Sequence, residues 1–170
     1  YVKVSGGMFL DMTIHDFDMA RWLLGDEVTE LYAAAGVLVD PAIGAQGDVD
    51  TALVTLKFAG GALGVIDNSR RAVYGYDQRI DLLGSAGGIR TENLHANTAT
   101  VSTRDAVRRD LPLNFFMERY TESYVVEMQA FVDAVRNDTP VPATGEDARA
   151  ATALALAARQ SYTENRVIAL

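Results

Sequence analysis

Gly6-Gly7-Met8-Phe9-Leu10-Asp11-Met12-Thr13-Ile14-His15-Asp16-Phe17-Asp18-Met19-Ala20-Arg21-Trp22-Leu23-Leu24-Gly25 holds the better placed of only two histidines in the chain. A glycine pair opens the stretch and Gly25 is suited to close a helix, so the pattern predicts a helix over Asp11 to Leu24. Residues four apart share a helix face, which clusters Asp11, His15, Asp18 and Trp22 on one flank. Met12, Phe17, Met19, Ala20, Leu23 and Leu24 spread over much of the opposite side. The helix is expected to be pinned to a core on that side while it presents an acid–imidazole–acid stripe on the other. Such a stripe suits proton transfer, because an unperturbed imidazole titrates near pH ~6.5 and a carboxylate one turn away can orient it. The same spacing also fits a solvated surface ion pair, an acid favouring a helix N-terminus, or ligands for zinc or manganese. No second histidine or cysteine lies nearby, so no metal is expected.

Downstream the period changes from helical to alternating. Val28 to Val39 predicts a strand ending at Asp40-Pro41, and residues 42–48 predict a loop. From Thr51 to Phe58, Ala52, Val54, Leu56 and Phe58 fall on one side. Gly60-Gly61 then turns the chain into Leu63–Ser69. Arg79 to Leu83 and Ile89 to Asn93 predict strands on either side of Gly84-Ser85-Ala86-Gly87-Gly88. A phosphate-binding glycine loop needs a helix N-terminus after it, so this run reads as a hairpin turn. Ala99 to Thr103 predicts a further strand.

The last third is helical. Tyr120, Tyr124, Met128, Phe131 and Val135 predict a core-facing stripe in a helix that stops before Asp138-Thr139-Pro140. Thr144-Gly145-Glu146-Asp147 resembles a capping box opening an alanine-rich helix to about Tyr162. Val167 to Leu170 suits a final short strand. The order predicts an α+β fold: an open, mainly antiparallel sheet with helices packed on one face. Leu53, Leu63 and Val65 would make the other face apolar, and that face is the expected oligomer interface.

The 170 residues suit one domain with a full core. A formal net charge of −8 argues against nucleic-acid and anionic-membrane partners. The absence of cysteine excludes a disulfide scaffold and a thiol nucleophile and suits a cytoplasmic location. No apolar run approaches the ~20 residues of a membrane span. Tyr1-Val2-Lys3-Val4 reads like a strand entered from upstream, so the chain is expected to be a piece of a longer protein.

The run from Gly6 to Gly25 resembles the Gfo/Idh/MocA family of nicotinamide-dependent sugar and polyol dehydrogenases. Leu38-Val39-Asp40-Pro41 with Gly47-Asp48-Val49-Asp50-Thr51-Ala52, the stretch from Ile66-Asp67-Asn68-Ser69-Arg70 to Tyr74-Gly75-Tyr76-Asp77-Gln78-Arg79, and Asn114 to Tyr120 narrow the likeness to the family's inositol dehydrogenases. It covers nearly the whole chain. The resemblance implies a two-domain parent, with residues 1–170 as a C-terminal substrate-binding and oligomerisation domain and a separate N-terminal Rossmann domain binding NAD. It implies that His15 is the general base and that Asp11 holds the imidazole and a substrate hydroxyl. It also implies a tetramer.

Asp18, on the same flank, and Tyr74 are the expected substrate contacts. The chain has no Gly-x-Gly-x-x-Gly, and its only lysines, Lys3 and Lys57, do not sit in the family's Glu-Lys-Pro motif. Residues 1–170 by themselves are therefore expected to be inactive. The alternatives are another sugar or polyol dehydrogenase of this family, a non-catalytic polyol-binding or oligomerisation module, and a metal-dependent isomerase or lyase.

Overall fold

The chain is described over residues 1–170 by a computed structural model. It divides into two compact units, Tyr1–Arg71 with Ala143–Leu170, and Ala72–Pro142. In the first, a π-helical turn, Phe9–Thr13, runs directly into α1, Ile14–Leu24. There follow β1, Val28–Gly36, the short α2, Pro41–Gly44, β2, Thr51–Phe58, and β3, Leu63–Ser69. The second unit holds β4, Asp81–Gly84, β5, Gly87–Arg90, β6, Thr100–Ser102, β7, Val107–Arg109, and α3, Phe116–Asn137. The chain then returns to the first unit with α4, Gly145–Glu164, and β8, Ile168–Ala169. No helix is long and apolar enough to cross a membrane.

The first unit is built on an antiparallel sheet of order β3-β2-β1-β8. Alternation in β2 is complete: Ala52, Val54, Leu56 and Phe58 are buried. Register places Leu31 opposite Leu56, Ala33 opposite Val54 and Val54 opposite Ile66, so one face of three strands is apolar. α4 covers that face with Ala151, Leu154, Ala155, Ala157 and Ala158, all buried. Small side chains let the helix approach the sheet closely. α1 packs on α4 and adds Phe17, which is fully buried.

β8 is only two residues long, and it pairs with Glu30 and Leu31 alone. Beyond it the Ala33 N–H is met instead by the buried Ser161 hydroxyl of α4, at 3.0 Å, and that hydroxyl donates to the Arg166 carbonyl at 2.6 Å. The α4 N-terminus carries the expected capping box, Thr144 with Asp147. The outward sheet face exposes Leu53, Leu63 and Val65, at 49%, 80% and 70%.

In the second unit, β4 pairs with β5 and β6 with β7 as two separate ribbons. The glycine-rich run joins β4 to β5, with Gly84 opposite Gly87. Gly75 adopts φ +135°, and a Cβ there would sit 2.8 Å from the Pro112 carbonyl oxygen, so only glycine fits.

Several sequence expectations are corrected. Tyr1–Val4 is a turn closed by Val4 N–H to the Tyr1 carbonyl, not a strand. β1 stops at Gly36, and the expected loop over 42–48 begins with α2, because Asp40 caps it and Pro41 opens it. The strands form one sheet and two ribbons, with β7 unforeseen. The α3 stripe does not face a core: Tyr124, Met128, Phe131 and Val135 are all exposed, and Ala134 alone on the helix is buried. Helical spacing aligns those side chains on one flank but says nothing of what lies against it.

Candidate functional site

The π turn explains where the acid and the imidazole go. Its i→i+5 ring holds one residue more per turn than an α-helix, so the regular helix expected from Asp11 begins only at Ile14. Gly6 and Gly7 enter it at φ +91° and +84°. A Cβ on Gly7 would meet Asp48 Oδ1 at 2.8 Å, and that oxygen accepts the Met8 N–H at 3.0 Å. The glycine pair therefore serves a close approach of the turn to the Asp48 side chain.

Asp11 points into an ion cluster rather than at His15. Arg70 Nη1 lies 3.2 Å from Asp11 Oδ2, and Arg70 Nη2 lies 3.2 Å from Asp48 Oδ2. All three side chains are only 13% exposed. The Tyr1 hydroxyl donates to Asp11 Oδ1, which raises the Tyr1 pKa. His15 is exposed on α1, and its ring makes no hydrogen bond within the chain.

The neighbouring acid, Asp16, was not singled out in the sequence. Burial pushes its pKa up, against the Asn68 amide that donates to it at 2.8 Å and the charge of His15. Asn68 Oδ1 also accepts from the buried Thr13 hydroxyl at 2.7 Å. β3 and the residue after it therefore fasten the π turn and the start of α1, Arg70 through Asp11 and Asn68 through Thr13 and Asp16. The signal was present in Asn68-Ser69-Arg70, but which side chains those residues grip depends on the register of β3 against β2.

Beneath this cluster Asp50 is fully buried. Burial alone would raise its pKa, but the Asp40, Leu38 and Val39 N–H groups, at 2.8–2.9 Å, and the Thr51 hydroxyl outweigh it and hold the carboxyl at about 2. Asp50 thereby fixes residues 38–40, and its carbonyl accepts the Arg70 N–H at 2.8 Å.

Asp18 lies 3.7 Å from Arg21, which also binds Glu27 and Asp147. Its carboxylate remains about half exposed. Trp22, at 73%, and Met19 stay in solvent beside His15 along α1. Tyr74 belongs to the second unit, where its hydroxyl donates to Asp77 and its pKa is raised by that bond. Arg79, Tyr74 and Asn93 together lower Asp77 to about 2. Tyr76 packs edge-on against Tyr120. His95, the second histidine, is half-buried, with Nδ1 2.9 Å from the Asp110 carbonyl oxygen. No three His, Cys, Asp or Glu side chains converge as metal ligands would.

Residues 1–90 match the model of the GFO/IDH/MocA C-terminal domain. The whole chain is 52% identical to a myo-inositol 2-dehydrogenase of Thermotoga maritima, of which it covers 51%. Among solved structures, a probable dehydrogenase from Thermotoga maritima superposes with a TM-score of 0.97 at 51% identity, over 99% of this chain and 51% of that one. A scyllo-inositol dehydrogenase from Lactobacillus casei, solved with NAD(H) and scyllo-inositol, gives 0.88 at 29% identity, over 97% and 48%. The chain spans about half the length of each of these relatives.

Proposed function

The chain belongs to the GFO/IDH/MocA family, and from that premise we propose that it forms the substrate-holding half of an NAD-dependent inositol 2-dehydrogenase. One observation carries the reading: an imidazole with no internal hydrogen bond stands open to solvent on α1, four residues after a carboxylate of the π turn that is gripped by an arginine. In this reading His15 takes the proton from the ring hydroxyl that is oxidised to a ketone. Asp11 is held rigidly enough to accept a substrate hydroxyl and fix the ring. Asp18, half exposed on the same helix, accepts another.

NAD supplies the hydride acceptor. The glycine-rich run of this chain is a β-hairpin turn with strands on both sides, which does not fit a dinucleotide pyrophosphate, since that site needs a helix N-terminus. No residue of the chain is assigned to the cofactor, and the work assigned here is proton transfer and positioning. The outward sheet face bearing Leu53, Leu63 and Val65 is the surface through which copies of the protein assemble as a homo-oligomer.

The test is to incubate the protein carrying this chain with NAD and each of myo-inositol, scyllo-inositol and glucose, and to follow NADH. Formation of NADH with an inositol, with the matching inosose as product, is the expected outcome. Turnover confined to glucose would move the assignment to another branch of the family. No turnover with any polyol would overturn it.

A further inference from the structure

We infer that Arg70 is a positioning residue of the proposed dehydrogenase: its guanidinium ties Asp11 to Asp48 and so sets the π turn from which the acid reaches substrate. This rests on the functional reading above. Arg70 follows β3 directly, and its own N–H is bonded to Asp50, so its backbone is fixed by the sheet. Its two terminal nitrogens each take a different carboxylate, at 3.2 Å. A guanidinium carries those nitrogens in a rigid plane, whereas a lysine ammonium is one point charge.

The geometry makes the fork specific. Asp48 grips the turn a second time, by accepting the Met8 N–H at the place where Gly7 leaves room for it. Asp11 is thereby held from the side chain and the turn from its backbone, both through one cation. Arg70 Nε is buried without a partner, an arrangement that costs stability. Without the guanidinium, two largely buried carboxylates lose the cation they share, and like charges push the turn and Asp11 out of place.

The experiment compares the intact dehydrogenase with Arg70→Met, Arg70→Lys and Asp48→Asn, using NAD and myo-inositol deuterated at the reacting carbon. In Arg70→Met the expected kcat is at least 30-fold lower, with KM for NAD unchanged and the deuterium isotope effect on kcat increased as the chemical step becomes limiting. Arg70→Lys is expected to recover the thermal midpoint but to leave kcat at least tenfold low, since it restores charge and not the fork. Asp48→Asn, which frees one arm, is expected to lie between; it and Arg70→Lys carry the test if Arg70→Met does not fold.

A kcat within twofold of wild type, or full recovery by lysine, would overturn the positioning role while leaving the functional reading intact. So would a loss in kcat that merely follows the loss of folded protein. A wild-type protein that oxidises no inositol would overturn both.

Discussion

At the scale of single residues, the chemistry separates into groups that are free and groups that are held. His15 is free, whereas Asp11, Asp48 and Asp50 are held by cations or backbone donors. Asp50 gives a pH signature. Its folded pKa, about 2, lies below the ordinary 3.8, so the stability it adds is present above that ordinary value and is lost as pH falls through about 2. Asp50→Asn is expected to lower the denaturation midpoint at pH 7, and its deficit against wild type should shrink between pH 4 and pH 2. A deficit that stays constant over that window would show that the charge is not what matters.

The sequence placed His15 on an open flank of α1, and the structure does the same. It could not place Asp11, because helical arithmetic assumes 3.6 residues per turn, and nothing in Phe9-Leu10-Asp11-Met12-Thr13 marks a π turn. Arg70 lies far along the chain from Asp11, and only strand register brings the two together.

Among the elements, α4 and the sheet carry most of the core, and their fit depends on small groups. The Ser161 hydroxyl fills a gap left where β8 ends, by accepting the Ala33 N–H. Ser161→Ala strands that buried donor and is expected to cost ~1–3 kcal/mol of stability, readable by chemical denaturation. A change below a few tenths would mean that the Ala33 N–H finds another partner.

Elements were legible where local signals agree. The alternation of β2, the Gly60-Gly61 turn, the Thr144–Asp147 cap and the αL glycine at Gly25 all appear where the sequence predicts them. They were misread where the outcome depends on distant partners. α3 has the spacing of a core helix, yet its apolar flank stays exposed. α2 forms because of a cap and a proline inside a segment otherwise rich in turn formers.

For the molecule as a whole, one apolar sheet face is covered by α4 and the other is not. Leu53, Leu63 and Val65 form an exposed patch on β2 and β3, and the function proposed above assigns that patch to assembly. Val65→Asp together with Leu63→Asp is expected to lower the mass seen in sedimentation to that of a smaller species, while the far-ultraviolet circular dichroism stays the same. An unchanged mass would remove this face from the assembly.

The α+β class was legible from the order of helical and alternating periods. The separation of residues 72–142 as a unit was not, because short ribbons such as β4–β5 and β6–β7 have the same alternation as strands of a larger sheet. The account as a whole depends on the imidazole of α1. In the protein carrying this chain, His15→Ala should be measured for NADH formation from myo-inositol and, separately, for NAD affinity. Turnover is expected to fall by ~10²–10⁴-fold, as removal of a general base does, with the Kd for NAD within twofold of wild type. Turnover that survives at the wild-type rate would contradict the account.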